Sequence, residues 1–117
     1  MIKRILALFL VLQFHTVVGQ IDLIEISDFG SNPGNLEMFL HVSKKQKSKN
    51  SLVVVLHGCT QDAISISVQS GWNELSDMQG FSVLYPQQKK RNNPNDCFNW
   101  FQKKDIDKDL RLAQIIS

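Results

Sequence analysis

The chain has 117 residues, of which 43% are hydrophobic and 21% charged, and its formal net charge at pH 7 is +2. This length fits one small domain with a core of its own, and the composition is that of a globular protein, not of a disordered chain. The positive excess equals the two charges of Lys3 and Arg4 in the leader described next, so it does not indicate a nucleic-acid partner or an anionic membrane.

The first nineteen residues differ from the rest of the chain. A basic start leads into an apolar run, which closes on small residues at Val17 and Gly19. This order is typical of a secretory signal peptide. The alternative, a transmembrane helix, needs about 20 apolar residues, more than this run supplies. We therefore predict a signal peptide at 1–19 and a secreted or periplasmic protein that has no membrane contact after cleavage.

Two segments after the leader predict an antiparallel hairpin. Residues 21–28 alternate imperfectly between apolar and polar, and residues 36–42 carry an apolar side chain at every second position. The second pattern has the period of a half-buried strand. Glycine, asparagine and proline at 30–34 are turn residues. His41 falls among the outward-facing positions of the second strand, where an ordinary surface histidine is expected.

The middle of the chain predicts a strand, a helix and a parallel strand. Residues 52–56 are apolar without alternation and rich in valine, as in a central strand that is buried on both faces. A helix at 70–80 and a second buried strand at 81–86 follow, so the crossover between the strands should be right-handed. Residues 87–101 read as a long loop that ends in an aromatic cluster.

Two helices are predicted from apolar spacing. In the helix at 70–80, Trp72, Leu75 and Met78 are spaced to form one apolar face, and Gly80 is a natural C-terminal stop. Residues 105–117 show the same kind of periodicity and read as the start of another helix.

The strand at 52–56 runs directly into a polar turn at His57 and Gly58. In open α/β folds, ligands collect at the carboxyl edge of the parallel strands, where such a turn lies. A turn of this kind supplies half of the oxyanion hole in α/β-hydrolases, because its backbone N–H groups can face a developing negative oxygen. A plain strand-to-loop turn is equally compatible with these residues.

The two cysteines, Cys59 and Cys97, are an even count in a chain that we predict to be exported, which favours one disulfide. Two free, buried thiols are the alternative. A bridge would close a loop of about 40 residues and stabilise the fold by about 3–4 kcal/mol.

Three stretches together resemble a known family. They are LVVVLHGCTQ at 52–61, SGWNELSDMQGFSVLYPQQ at 70–88 and NPNDCFNWF at 93–101, in this order and spacing. They are similar to secreted poly(3-hydroxybutyrate) depolymerases and the related feruloyl and acetylxylan esterases, over about residues 28–117. The resemblance implies an α/β fold in which residues 20–117 form the N-terminal half of an α/β-hydrolase esterase domain, truncated before the nucleophile elbow. It also implies a serine esterase without a cofactor that acts on polyhydroxyalkanoates or plant cell-wall esters.

The resemblance also implies roles for individual residues. A backbone N–H after the turn would hold the oxyanion, a disulfide would tie the turn to the aromatic loop, and Asn99 would fix that loop by hydrogen bonds. For the aromatic residues, ordinary core packing is the alternative to a pocket wall. The implied residues are Cys59 and Thr60 as oxyanion donors, His57 and Gly58 as turn supports, Cys59 and Cys97 as the disulfide, and Phe98, Trp100 and Phe101 as the pocket wall.

The nucleophile of that family is missing from the sequence. A G-x-S-x-G elbow occurs nowhere in the 117 residues, so the serine, the acid and the histidine base would lie beyond Ser117. A Cys59–His57 pair is a poor substitute, because Gly58 turns the chain between the two side chains. We therefore predict that this polypeptide alone is inactive. The second hypothesis is a non-catalytic truncated remnant or a binding module.

No metal site is predicted. The three histidines are scattered without ligand spacing. Asp105, Asp107 and Asp109 lack the glycine and the terminal glutamate of a calcium loop, and they suit the start of a helix better.

Overall fold

A computed structural model of the chain describes residues 22–46 and 51–106. The predicted signal peptide at 1–19 and most of the predicted helix at 105–117 lie outside the described residues. Within the described part of the chain, no helix is long and apolar enough to cross a bilayer. The elements in chain order are β1 (Ile24–Glu25), β2 (Glu37–His41), β3 (Leu52–Val54), α1 (Ala63–Gln69), α2 (Trp72–Gln79), β4 (Ser82–Gln87) and α3 (Lys103–Ile106).

The four strands form one mixed sheet in the order β1-β2-β4-β3. β1 pairs antiparallel with β2, so the predicted hairpin is confirmed. β2 also pairs antiparallel with β4, whereas β3 lies parallel to β4, with Val53 opposite Val83. The parallel strand–helix–strand unit is therefore confirmed as well. Because β3 and β4 run in the same direction, the residues that follow both strands meet at one edge of the sheet.

The core centres on β4. Val83, Tyr85 and Ala63 are fully buried, and Leu36 and Met38 are nearly so. Both α1 and α2 pack against β4, and the Tyr85 hydroxyl, which lies under α2, donates a hydrogen bond of 2.7 Å to the Asn73 side chain. Because these contacts fix the position of β4, they also fix the start of the loop that follows its carboxyl end.

The prediction that 52–56 is a central strand buried on both faces is wrong for the described structure. β3 is the outermost strand of the described sheet, and Leu52 and Leu56 are 55% and 53% exposed. In the described part of the chain, β3 has a hydrogen-bonded neighbour only on the β4 side. Within the described residues the outer edge of β3 is therefore unpaired, and Leu52 in the strand and Leu56 shortly after it are exposed, although the sequence is that of a buried strand.

The helical region also differs from its prediction. The helix predicted at 70–80 is confirmed as α2 (Trp72–Gln79), but α1 (Ala63–Gln69) precedes it and was not predicted. The two helices are separated at Gly71, which adopts φ +72°. The apolar face predicted for α2 is buried only in part: Trp72 packs against the core, whereas Leu75 is 38% and Met78 62% exposed and Ser76 is fully buried. The Ser76 hydroxyl donates to the carbonyl of Phe81, directly before β4, so a polar residue of the helix faces inward.

The two ends of this region follow ordinary capping rules. Gly80 ends α2 in the left-handed region at φ +84°, as predicted. At the start of α1, the Asp62 carboxylate accepts the Ser65 N–H at 2.6 Å, which is a standard N-cap. The sequence holds this signal, an aspartate three residues before a serine, but it falls outside the helix predicted at 70–80.

His41 is not the surface histidine that we predicted. It is only 4% exposed, and its Nε2 lies 3.2 Å from Asp77 Oδ1 on α2. The same carboxylate oxygen accepts the Lys44 N–H at 3.0 Å. The alternation of apolar residues in β2 was predicted correctly. However, α2 covers the face that carries His41, so the face predicted to be outward is packed as well.

We expect the stability of the fold to fall in acid. The pKa of Asp62 is lowered from its ordinary value of 3.8, chiefly by the Ser65 N–H, and that of Asp77 chiefly by the Lys44 N–H. A carboxyl group with a lowered folded-state pKa stabilises the fold above its unfolded pKa, and this contribution is lost as the pH falls through the folded value. Urea midpoints should therefore stay level down to about pH 4 and fall below it.

An Asp62→Asn/Asp77→Asn double variant serves as the control for this acid effect. Its urea midpoint should depend less steeply on pH below about pH 4 than that of the parent chain. An equally steep fall in both chains would show that these two carboxylates do not cause the acid sensitivity.

Candidate functional site

The polar turn after β3 is a tight four-residue turn. The Gln61 N–H donates to the Gly58 carbonyl at 3.2 Å, and the Gly58 N–H donates to the Gln61 side chain at 2.8 Å. Thr60 takes φ +59°, a conformation that a β-branched residue rarely adopts and that clusters at functional sites. Two hydrogen bonds between Gly58 and Gln61 therefore close the turn, and Thr60 within it has a strained backbone conformation.

His57 lies beneath this turn and is 3% exposed. Its Nδ1 is 2.8 Å from the Gly58 carbonyl oxygen, and its Nε2 accepts the Gln88 N–H at 3.1 Å. The Phe98 ring packs on the imidazole with centroids 5.0 Å apart. The histidine thus connects the turn after β3 to the chain that leaves β4.

A loop at residues 88–99 closes over the other side of the turn. The Cys59–Cys97 disulfide is formed, and the Thr60 N–H donates to the Asn95 carbonyl at 2.7 Å. The Gln88 side chain donates to the Cys97 carbonyl at 3.3 Å. The turn is therefore joined to this loop by one covalent bond and one short backbone hydrogen bond.

Side-chain amides fix the loop itself. The Asn92 amide donates to the Gln88 side chain at 2.6 Å and to the Gly34 carbonyl at 2.9 Å. The Asn93 amide donates to the Asn99 side chain at 2.8 Å. The site prediction included Asn99 but missed the other amide residues, because amide pairs have no periodic signature in a single sequence.

The two backbone donors proposed for the oxyanion are not equivalent. The Thr60 N–H is occupied by the Asn95 carbonyl. The Cys59 N–H, in contrast, forms no hydrogen bond within residues 22–46 and 51–106. In this conformation, Cys59 is therefore the residue of the pair whose N–H is available to a ligand oxygen.

The three aromatic residues predicted as a pocket wall differ in how far they are buried. Phe98 is half-buried against His57, as described above, but Trp100 and Phe101 are 74% and 58% exposed. The two exposed rings contact each other edge to face, with centroids 5.8 Å apart. Phe98 thus packs within the fold, whereas Trp100 and Phe101 are exposed and contact each other, and a role in a pocket wall remains a prediction for all three.

The structure excludes a Cys–His catalytic pair. The Cys59 sulfur is bonded to Cys97, and both ring nitrogens of His57 are engaged by backbone groups. A nucleophile needs a free thiolate and a base within hydrogen-bond reach, and neither is present here.

Two lysines near the site form ion pairs with acidic side chains. An open cleft of about 430 Å³ lies beside the start of α1 and the end of β4. On its rim, Lys89 lies 3.4 Å from Glu37, and Lys90 lies 3.2 Å from Asp96. Among the described residues, no group of three or more histidine, cysteine or acidic side chains is placed to hold a metal ion.

A parallel strand–helix–strand unit, with a polar turn at the carboxyl end of its first strand, occurs in α/β-hydrolase folds. A solved structure supports this class. Acetyl xylan esterase from Aspergillus awamori matches with a TM-score of 0.53 at 36% identity, over 55% of this chain and 23% of that chain. The chain belongs to the Esterase PHB depolymerase family, whose family model matches residues 38–117. Members of this family are carboxylic ester hydrolases.

Two relatives show how much of a family member the chain represents. Poly(3-hydroxyalkanoate) depolymerase C of Paucimonas lemoignei is 51% identical over 84 residues, which is 72% of this chain and 20% of the relative. Feruloyl esterase B of Talaromyces funiculosus is 29% identical over 83 residues, which is 71% of this chain and 24% of the relative. The chain thus spans about a quarter or less of the length of these relatives.

Gly58→Ala tests the closure of the turn. A Cβ at position 58 would lie 2.9 Å from the Gln61 side-chain oxygen, which must then move away from the Gly58 N–H. Loss of that hydrogen bond should lower the free energy of unfolding by about 1 kcal/mol. A urea titration measures the change, and Gln61→Ala, which removes the same hydrogen bond without steric pressure, is the matched variant. Two unequal losses, with only Gly58→Ala destabilised, would contradict this interpretation of the turn.

Proposed function

We propose that this chain supplies the oxyanion side of the active site of a secreted carboxylic ester hydrolase. One observation carries the proposal: the Cys59 N–H is unengaged among the described residues, at a turn that is fixed from both sides. The turn lies at the carboxyl edge of the parallel strands, where α/β folds bind their ligands. Membership of an esterase family then indicates a ligand for the unengaged N–H, namely the oxygen that becomes negative during ester cleavage.

The mechanism follows from the charge that develops during ester cleavage. When a nucleophilic serine attacks the ester carbon, the carbonyl oxygen becomes negative and needs donors that are already in place. The Cys59 N–H would be one such donor, and it needs no rearrangement because the disulfide and the loop hold the turn. The serine on its G-x-S-x-G elbow, the histidine base and the acid would come from a part of the enzyme outside these 117 residues.

The substrate class that we favour is a polyhydroxyalkanoate ester. The relative with 51% identity is named a poly(3-hydroxyalkanoate) depolymerase, whereas the matched feruloyl esterase is 29% identical. Secretion is part of the proposal, and it is supported by the leader-like residues 1–19 and by the disulfide. No cofactor and no nucleic-acid partner is needed for this reaction.

A chimera tests the proposed function. The matched 84-residue segment of the P. lemoignei relative would be replaced by the corresponding segment of this chain, which gives a full-length enzyme with its own triad. We expect hydrolysis of p-nitrophenyl butyrate at a kcat/KM within about tenfold of the parent enzyme, since each misplaced donor costs far more. A folded chimera with the disulfide formed but no activity would overturn the proposal.

The 117-residue chain by itself should not hydrolyse p-nitrophenyl butyrate. The sequence holds no G-x-S-x-G serine, and its Cys–His pair is blocked by the disulfide. The rate in its presence should equal that of buffer and of a heat-treated sample. Saturable hydrolysis by the purified chain would show that a nucleophile other than the family serine is at work.

A non-catalytic role is the second candidate, and the exposed side of β3 favours it. Leu52 of β3, Leu56 shortly after it and Met78 of α2 are exposed, so the described fold presents apolar surface. A sharp, cooperative thermal transition of a monomer would support an independent domain. Aggregation or a gradual transition would favour a piece of the larger enzyme.

A further inference from the structure

The contacts of His57 fix the position of its ring proton. The Gly58 carbonyl oxygen can only accept a hydrogen bond, so the Nδ1 that lies 2.8 Å away must donate. The Gln88 backbone N–H can only donate, so the Nε2 at 3.1 Å must accept. Both contacts require the same neutral imidazole, with the proton on Nδ1 and the lone pair on Nε2.

This proton determines how the peptide after Gly58 is oriented. The Gly58 carbonyl accepts from His57 Nδ1 and also from the Gln61 N–H at 3.2 Å, so both of its lone pairs are used. No peptide bond in the described residues is cis, and in a planar trans peptide the N–H points opposite to the C=O. The Cys59 N–H is therefore directed away from His57, toward the open side of the turn.

The ring itself is held from the β4 side. Gln88 is 6% exposed; its backbone N–H binds Nε2, and its side chain binds the Cys97 carbonyl. The Phe98 ring covers the imidazole at 5.0 Å with a tilt of 48°. A rotation or tautomer change of His57 would break a buried backbone hydrogen bond, and no new contact would offset that loss of free energy.

We propose that His57 is a positioning residue, which as the neutral Nδ1–H tautomer aims the Cys59 N–H at the substrate oxygen. The assignment of Cys59 as an oxyanion donor rests on the proposed function, whereas the tautomer and the peptide orientation do not. His57 then takes no proton from the substrate. Its contribution to the reaction is the fixed direction of one backbone donor.

Nitrogen NMR of the 117-residue chain, labelled with ¹⁵N-histidine, tests the tautomer directly. We expect His57 Nδ1 to show the shift of a protonated nitrogen and Nε2 that of an unprotonated nitrogen, with a coupling from Nδ1–H to the Gly58 carbonyl carbon. A proton on Nε2, or an average of both tautomers, would overturn the proposal. This outcome does not depend on whether the chimera is an active esterase.

Two variants separate positioning from simple packing. The side-chain nitrogen of asparagine can replace Nδ1, whereas the amide of glutamine reaches the position of Nε2. His57→Asn should therefore keep the Gly58 carbonyl and Cys59 amide shifts close to those of the parent chain, and His57→Gln should move both. Equal changes in the two variants would show that His57 acts only by filling space.

The same pair can be measured in the active chimera. We expect His57→Gln to lower kcat by about 100-fold with little change in KM, which is the loss that follows removal of one oxyanion donor. His57→Asn should stay within about tenfold of the unmodified chimera. A change in KM alone, or an equal loss of kcat in both variants, would contradict the assignment. If the glutamine variant does not fold, the spectrum of the unmodified chain still decides the proposal.

Discussion

Replacing Cys59 and Cys97 by alanine should lower the free energy of unfolding by about 3–4 kcal/mol, since the bridge closes a loop between residues 38 positions apart. Loss of the bridge should also affect the turn after β3, because the bridge is the covalent link between this turn and the loop at residues 88–99. Urea unfolding of the oxidised chain and of the double variant measures the difference. This is among the largest effects that we expect, because a domain this small has little stability to spare.

Reduction of the parent chain is the control for this prediction. The reduced parent and the double alanine variant should have the same urea midpoint, since both lack the cross-link. A double variant less than about 1 kcal/mol below the oxidised chain would contradict the entropic account of the bridge. In that case the hydrogen bonds from the Thr60 N–H to Asn95 and from the Gln88 N–H to His57 would hold the loop without the covalent bond.

Tyr85→Ala should destabilise the fold by about 3–5 kcal/mol, because truncating a large aromatic side chain in a core loses burial and leaves a cavity. Tyr85 is 0% exposed at the centre of β4 and lies under α2. Burial also raises the pKa of its hydroxyl above the ordinary value of 10.0, so the group stays protonated and donates to Asn73. Thermal or urea unfolding followed by circular dichroism gives the measurement.

Tyr85→Phe separates the ring from the hydroxyl. It should cost about 1 kcal/mol, the net value of one hydrogen bond, and Asn73→Ala should cost a similar amount because it removes the partner. If Tyr85→Phe were as damaging as Tyr85→Ala, the hydroxyl and not the ring would be the main contribution of this residue, which contradicts the burial argument.

Local patterns in the sequence were enough to predict the hairpin, the parallel pairing of β3 with β4, and the end of α2 at Gly80. Each depends on neighbouring residues: alternation, an apolar run, or a glycine that can adopt φ +84°. The errors concern contacts between elements. His41 is buried because α2 covers it, and Leu52, in the edge strand of the described sheet, is exposed because α1 and α2 pack mainly on β4. Neither fact is contained in the pattern of the strand itself.

For the candidate site, too, some features could be predicted from the sequence and others could not. The turn at His57 and Gly58 and the pairing of Cys59 with Cys97 could be inferred from the sequence and the family resemblance. The choice between Cys59 and Thr60 as donor could not, because it depends on the carbonyl of Asn95, which lies 35 residues away along the chain. The tautomer of His57 likewise depends on a backbone N–H from the end of another strand.

The exposed edge of β3 also provides a surface for association with other chains. A run of residues suited to burial on both faces is paired on one side only within the described residues, and exposed strand edges tend to pair with other chains. The stability measurements therefore need dilute samples and a check of molecular size. Association through this edge would raise the apparent stability with concentration.

The central claim is that this chain carries the oxyanion side of an ester hydrolase, and the steady-state kinetics of the chimera with the P. lemoignei relative test it most directly. The account predicts hydrolysis of p-nitrophenyl butyrate with kcat/KM within about tenfold of the parent enzyme. It also predicts that activity is lost when the nucleophilic serine of the relative is replaced by alanine. A soluble, folded chimera with an intact Cys59–Cys97 disulfide whose rate equals that of the serine variant would contradict it.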